Sequence, residues 1–305
     1  MKPRILISDK IHDKAIDEAK LFADVDLKFN LTPKELVDKI RDYDALIIRS
    51  GTKVTREVIA NAGKLRIIGR AGVGLDNIDL KAAGEKNIEV VNSPEASTIS
   101  VAELAVGSLI ALMRNIHHGH SSLKKGRWDR SKLTGNELYG KKIGIIGFGR
   151  IGREVADRAK AFGMDVLAFD PNITVEDARE NNCEYRELDE LIKEADVLTL
   201  HVPLTEKTRG LIDTAKIESM KKDAVIINAA RGGVVNEEDL YAALKKGVIK
   251  GAAIDVFESE PPEGSPLLEL DNIVLTPHLG ANTEEAQINA GAVVVEKIRN
   301  HFRNA

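Results

Sequence analysis

Arg231, Glu260 and His278 share a layout. Each lies just past a short β-branched run, respectively Ala224 to Asn228, Lys250 to Ile254 and Ile273 to Leu275. Ligands of open α/β sheets gather outside the carboxyl ends of the strands, so residues placed this way can converge on one site. Their types form a working set: a fixed cation for a carboxylate, an acid, and an imidazole that exchanges a proton near neutrality. Singly, each has an ordinary reading: Arg231 in a surface ion pair, Glu260 solvated before the Pro261-Pro262 turn, His278 a satisfied loop histidine. Together they favour a site.

A second set lies upstream. Gly147-Phe148-Gly149-Arg150-Ile151-Gly152 follows the run Ile143 to Ile146 and opens an amphipathic pattern from Arg150 to Phe162. Strand, glycine loop and helix are the context that a dinucleotide fingerprint requires. Gly147 permits the tight turn, Gly149 lets backbone approach a pyrophosphate, and Gly152 lets helix pack on strand, while the first N–H groups of the helix offer positive potential. The next strand-like run, from Met164, ends at Asp170, at the spacing expected for a carboxylate on the adenosine ribose. That charge would repel a 2′-phosphate, so NAD is expected rather than NADP. The competing reading is a plain glycine turn with a solvated aspartate.

These residues must be positioned by a large fold. At 305 residues and 43% hydrophobic content the chain can bury two cores, and two domains are expected. A net charge of -4 with no basic block disfavours nucleic acid and anionic membrane as partners and favours a small molecule. No apolar run nears the ~20 residues of a membrane span, and no signal-peptide pattern opens the sequence, so a cytoplasmic protein is expected. The lone Cys183 offers neither a disulfide nor a zinc pair, and no metal site is expected.

Strand-like runs at Arg4 to Ser8, Val25 to Phe29, Ala45 to Arg49, Arg66 to Arg70 and Ile88 to Val91 alternate with helical patterns such as Pro33 to Ile40 and Thr55 to Ala62. Such alternation marks parallel βαβ units. A cluster of turn formers, Asn92 to Ser97, then precedes one long apolar helix, Thr98 to Ile116, expected to be buried on more than one side, either within the subunit or against a second one. After Tyr139-Gly140 the alternation resumes, and a helical segment, Thr283 to His301, closes the sequence. The expectation is α/β with two doubly wound parallel sheets: residues 1–97 with 283–305, and residues 98–282. His117, His118 and His120 lack the spacing of a metal-binding helix face and are expected near a helix carboxyl end.

The sequence also resembles, from end to end, the D-isomer-specific 2-hydroxyacid dehydrogenase family, most closely its branch acting on 3-phosphoglycerate. The resemblance runs through Ile48-Arg49-Ser50-Gly51-Thr52-Lys53-Val54, Gly69-Arg70-Ala71-Gly72-Val73-Gly74-Leu75-Asp76-Asn77, the glycine loop, His201-Val202-Pro203-Leu204-Thr205 and the stretches that carry Arg231, Glu260 and His278. It implies a flavodoxin-like substrate domain followed by a Rossmann NAD-binding domain. It also implies that Arg231 orients the substrate carboxylate and carbonyl, that His278 is the acid/base and that Glu260 pairs with His278 to favour its protonated form. NAD contacts are expected at Gly147, Gly149, Arg150, Ile151, Gly152, Asp170, His201, Pro203, Thr208, Ala229, Asp255 and Gly280. Substrate contacts are expected at Arg49, Ser50, Arg70, Val73 and Gly74, with Arg49 the better discriminator of a phosphate. The Thr98 to Ile116 helix is expected to form a homodimer, with Lys124 to Lys132 as a dimer loop. Some members continue into a serine-binding regulatory domain, whereas this sequence stops at Ala305, so serine feedback is not expected. The alternatives are a glyoxylate or hydroxypyruvate reductase and, from another class, an NAD-dependent corepressor or silent scaffold.

Overall fold

A computed structural model describes residues 2–304. The chain divides into two compact units, Met1–Thr98 with Ala281–Ala305, and Ile99–Gly280.

The first unit alternates β1 (Arg4–Ile7), α1 (Asp13–Phe22), β2 (Asp24–Leu27), α2 (Pro33–Lys39), β3 (Ala45–Ile48), α3 (Arg56–Asn61), β4 (Ile67–Arg70), α4 (Leu80–Glu85) and β5 (Glu89–Asn92). The strands are all parallel, in the order β2-β1-β3-β4-β5, which is the flavodoxin-like arrangement. Every residue of β3 is buried, as befits a central strand covered on both faces. The carboxyl-terminal helix, Glu284–Arg303, packs on β4 through Val294 and Ile298. A Cβ on Gly69 would collide with both, so glycine sets how closely that helix approaches. The order reverses between β1 and β3, so the loops leaving those two strands flank the crevice of this sheet.

The second unit opens with α5 (Thr98–Met113) and α6 (Ile116–Lys124), which replace the single helix expected over Thr98 to Ile116. The two are bent by 66°, because Asn115 takes a left-handed conformation at φ 52° and the returning segment claims the exposed end of α5: Asn136 N donates to the Met113 carbonyl at 2.8 Å. Asparagine tolerates that conformation better than most residues. His117, His118 and His120 therefore sit in the first half of α6, not at a helix carboxyl end. Burial, and then the neighbouring His118, lower the His117 pKa from its ordinary value. Within the unit α5 buries one stripe, including Val101, Ala105, Leu109 and Leu112, and leaves Glu103 and Gly107 exposed. Among the described residues no single helix is long and apolar enough to cross a membrane.

The sheet follows: β6 (Lys142–Ile146), α7 (Arg150–Ala161), β7 (Asp165–Phe169), α8 (Val175–Glu180), β8 (Glu184–Tyr185), α9 (Leu188–Glu194), β9 (Val197–Leu200), α10 (Thr214–Ser219), β10 (Val225–Asn228), α11 (Glu237–Lys246), β11 (Gly251–Ile254) and β12 (Ile273–Leu275). The order β12-β11-β10-β9-β6-β7-β8, parallel throughout, is the doubly wound dinucleotide-binding arrangement with one added edge strand. Its reversal lies between β6 and β9, directly beneath the glycine loop.

Candidate active site

The glycine loop is shaped by contacts that a side chain would destroy. Gly147 leaves β6 at φ 92°, and a Cβ there would strike the main-chain oxygen of His201, which leaves β9. A Cβ on Gly152 would strike the Gly147 carbonyl, so the first turn of α7 lies directly on the loop. Gly149 differs: a Cβ there would meet no protein atom within 4 Å. Packing does not demand glycine at that position, whereas close approach of a pyrophosphate to the backbone would. Gly149 is also the N-cap of α7 and supplies no side-chain cap, leaving the amides of the first turn, beginning with Arg150, Ile151 and Gly152, to an outside acceptor.

Asp170 follows β7 and its carboxylate is fixed by the loop, Oδ2 accepting from Phe148 N at 3.0 Å and Oδ1 from Asn172 N at 2.9 Å. Each oxygen keeps accepting capacity for ribose hydroxyls. These residues fit a dinucleotide. Past β9, the His201 imidazole bonds Thr199 Oγ1 at 3.0 Å, and burial pushes its pKa down to about 4. The ring is therefore neutral near pH 7. Thr208 closes the neighbouring turn by donating to the Pro203 carbonyl at 2.6 Å.

Arg231, Glu260 and His278 leave the carboxyl ends of β10, β11 and β12, strands that pair in register Asn228↔Ile254 and Ile254↔Leu275. The β10 loop is folded by Asn228, whose amide donates to the Arg231 carbonyl at 3.0 Å and whose Oδ1 accepts from Ala230 N at 3.1 Å; Ala229 lies within that turn. Gly232 presses on the backbone of Phe257 and Glu258, where a Cβ would not fit, so the β10 and β11 loops are in contact.

His278 Nδ1 bonds Glu260 Oε2 at 2.8 Å and Oε1 at 3.0 Å. Anchoring Nδ1 on a carboxylate orients the ring and leaves Nε2 as the nitrogen for proton exchange. His278 itself stands at φ 53°, an uncommon conformation for a non-glycine residue that costs about 1–2 kcal/mol. The surroundings impose it. His278 N donates to the Asp255 carbonyl at 2.8 Å. The Asp255 carboxylate, itself only 3% exposed, accepts from Thr276 Oγ1 at 2.5 Å, Leu279 N at 2.7 Å and Gly280 N at 2.9 Å. Asp255, expected as an NAD contact, organises the loop that carries His278. Glu237 was not among the residues singled out from the sequence. From the first turn of α11 it accepts from Glu258 N at 2.5 Å, and burial raises its pKa from the ordinary value.

The remaining candidates belong to the first unit. Arg49 falls one residue beyond β3 and is half-buried, with Ser50 exposed beside it. Arg70 ends β4, its guanidinium lying across Gly72, which at φ 149° has no room for a side chain. Ser93 Oγ accepts from Gly72 N at 2.8 Å and Asn92 donates to the Val73 carbonyl at 2.5 Å, so the Gly72-Val73-Gly74 backbone is held from β5.

Residues 106–280 match the family model described as D-isomer specific 2-hydroxyacid dehydrogenase, NAD binding domain. Over 98% of its length the chain is 54% identical to a D-3-phosphoglycerate dehydrogenase of Methanocaldococcus jannaschii, covering 57% of that protein. It is 50% identical to a hydroxypyruvate reductase of Thermotoga maritima, with 88% of each chain covered. A solved D-lactate dehydrogenase of Aquifex aeolicus, complexed with NAD and lactic acid, superposes with a TM-score of 0.88 at 30% identity, over 99% of this chain and 96% of that one. The chain spans about half the length of the phosphoglycerate dehydrogenases it matches, from 48% to 57%.

Proposed function

Because the chain belongs to the D-isomer-specific 2-hydroxyacid dehydrogenase family, we propose that it interconverts a D-2-hydroxyacid and its 2-ketoacid by hydride exchange with NAD, and that the hydroxyacid is 3-phosphoglycerate. The observation that carries the reading is the Glu260–His278 pair at 2.8 Å, on loops of adjacent strands next to the strand that leads to Arg231. NAD, when bound, supplies the hydride acceptor or donor. The chain's own residues do the rest. In oxidation His278 Nε2 takes the hydroxyl proton as C2 loses its hydride and the carbonyl forms; in reduction it returns that proton to the carbonyl oxygen. Glu260 balances the positive charge that appears on the ring, and Arg231 orients the carboxylate and polarises the carbonyl.

Gly147, Gly149 and the first turn of α7 hold the pyrophosphate, and Asp170 takes the ribose hydroxyls and repels a 2′-phosphate. His201, Pro203, Thr208, Ala229, Asp255 and Gly280 complete the cofactor edge. In the first unit, which serves as the substrate domain, Arg49 addresses the phosphate with Ser50 and Arg70, and the Val73 and Gly74 amides cradle the carboxylate. The protein works as a cytoplasmic homodimer joined through α5, where Leu104, Gly107 and Ser108 leave a face that the unit itself does not bury. The lone Cys183 supports a reducing compartment.

A second reading, hydroxypyruvate reductase, draws on the Thermotoga maritima relative, 50% identical over 88% of this chain. The test is kcat/KM for 3-phosphohydroxypyruvate, hydroxypyruvate and glyoxylate with NADH, in wild type and Arg49→Ala. A charge-assisted bond to phosphate is worth about 1.5–3 kcal/mol, so Arg49→Ala should cut the preference for the phosphorylated ketoacid by a factor of roughly 10 to 150. A wild-type enzyme that favours hydroxypyruvate, or a variant that loses both substrates equally, would transfer the assignment to the second reading.

A further inference from the structure

We infer that Asp9 and Asn77 are positioning residues that set Arg49 for its work, an inference that rests on the assignment of Arg49 to the substrate phosphate. Asp9 leaves β1 and Arg49 leaves β3, the two strands between which the order of the first sheet reverses. Ligand crevices of doubly wound sheets lie at that reversal. The Arg49–Thr52 turn is gripped there from two sides.

Asp9 takes its donors. Oδ2 accepts from Arg49 N at 2.6 Å and from Thr52 N at 3.0 Å, and Oδ1 accepts from Thr52 Oγ1 at 2.9 Å. Gly51 completes the fit, since a Cβ on it would come to 2.9 Å from Oδ1. Asn77 takes the acceptors: its Nδ2 donates to the carbonyls of Arg49 and Thr52, both at 2.7 Å. The main chain of Arg49 is therefore fixed at both its N–H and its C=O by side chains 40 residues before it and 28 after it. Its guanidinium is engaged only lightly, Nη1 lying 3.5 Å from the Lys10 carbonyl.

That division of labour matters physically. A carboxylate beside an arginine usually captures the guanidinium and cancels its charge for an incoming anion. Here the Asp9 carboxylate is turned to backbone N–H groups, so it fixes where the arginine starts and leaves its forked donors available. The main-chain carbonyl of Asn77, which follows the Gly72-Val73-Gly74 backbone, also accepts from Val54 N at 2.8 Å and so ties the loops after β3 and β4 to one frame. A phosphate contact and a carboxylate contact made from these loops then keep a fixed separation.

The experiment is a double-substitution cycle read as a selectivity ratio, kcat/KM for 3-phosphohydroxypyruvate over kcat/KM for hydroxypyruvate, with NADH. Asp9→Asn keeps size and one acceptor but sets an NH2 group against a backbone donor. It should lower the ratio by about tenfold, through KM for the phosphorylated substrate rather than kcat. In an Arg49→Ala background the same substitution should change the ratio by less than about twofold, because its effect acts through the arginine. Should Asp9→Asn fail to fold by circular dichroism, Asn77→Ser, which removes the two bonds from the other side, runs the same cycle. An additive effect in the Arg49→Ala background, or equal loss on both substrates, overturns the positioning role. If Arg49→Ala alone leaves the ratio at its wild-type value, the failure lies instead with the phosphate assignment of Arg49.

Discussion

Replacing Asp255 by asparagine changes a single atom beneath the His278 loop and should slow hydride transfer while leaving the cofactor bound. The Asp255 carboxylate accepts from Thr276 Oγ1, Leu279 N and Gly280 N at 2.5, 2.7 and 2.9 Å. An amide offers one oxygen. If that oxygen serves Thr276 and Leu279, the NH2 group meets the buried Gly280 N–H, and a donor faces a donor. One charge-assisted bond is lost and one buried N–H goes unmatched, a cost of about 1–3 kcal/mol. The loop also carries His278 at φ 53°, so it has a relaxed alternative to move to. On that basis the population of the arranged loop falls by a factor of roughly 5 to 150. The assay is stopped-flow loss of NADH absorbance on mixing with ketoacid, paired with NADH fluorescence titration. The hydride-transfer rate should drop by about 5- to 150-fold while the NADH Kd stays within about threefold of wild type. An unchanged rate with weakened NADH binding would refute the loop-holding role and leave Asp255 as a cofactor contact only.

Two further outcomes follow from the cofactor edge. With Asp170 in its proposed ribose role, Asp170→Ala would remove an acceptor and a repulsive charge together, so KM for NAD should rise and the NAD/NADP preference should shrink by about tenfold or more; an unaltered ratio in steady-state kinetics places Asp170 away from the ribose. His201 is pushed from 6.5 to about 4 by burial, so as pH falls through that window the unfolded chain takes up a proton before the native one does. Stability from this group is therefore complete above pH 6.5 and declines toward pH 4 by up to about 3 kcal/mol, a slope that His201→Gln should flatten in urea midpoints measured from pH 7 to pH 4.5. A variant with the wild-type slope would remove His201 as its source.

Residues whose meaning is local were legible in the sequence. The glycine loop announced itself because turn, backbone approach and helix contact all fall within Gly147 to Gly152, flanked by its strand and helix. Arg231, Glu260 and His278 were legible because each follows a strand, and parallel strands bring their carboxyl ends to one edge. Residues defined by distant partners were not. Nothing around Asp9 points to Arg49, 40 positions away, and Asp255 meets Leu279 and Gly280 only because β11 and β12 pair. The α5–α6 break was hidden for a related reason: the apolar pattern runs on to Ile116, while the stop is enforced by Asn115 and by a segment that returns about 20 residues later. The two-residue strand β8, Glu184–Tyr185, is too short for any periodicity to mark.

The proposed chemistry turns on His278. In a single turnover with NADH and a 2-ketoacid, His278→Asn should keep NADH affinity and lower the rate of hydride transfer by roughly 100-fold or more, since the side chain that returns the proton is gone and the glycine loop is untouched. Transfer at the wild-type rate across the pH range would contradict the role of His278 and, with it, the reading of the Glu260–His278 pair as the centre of the chemistry.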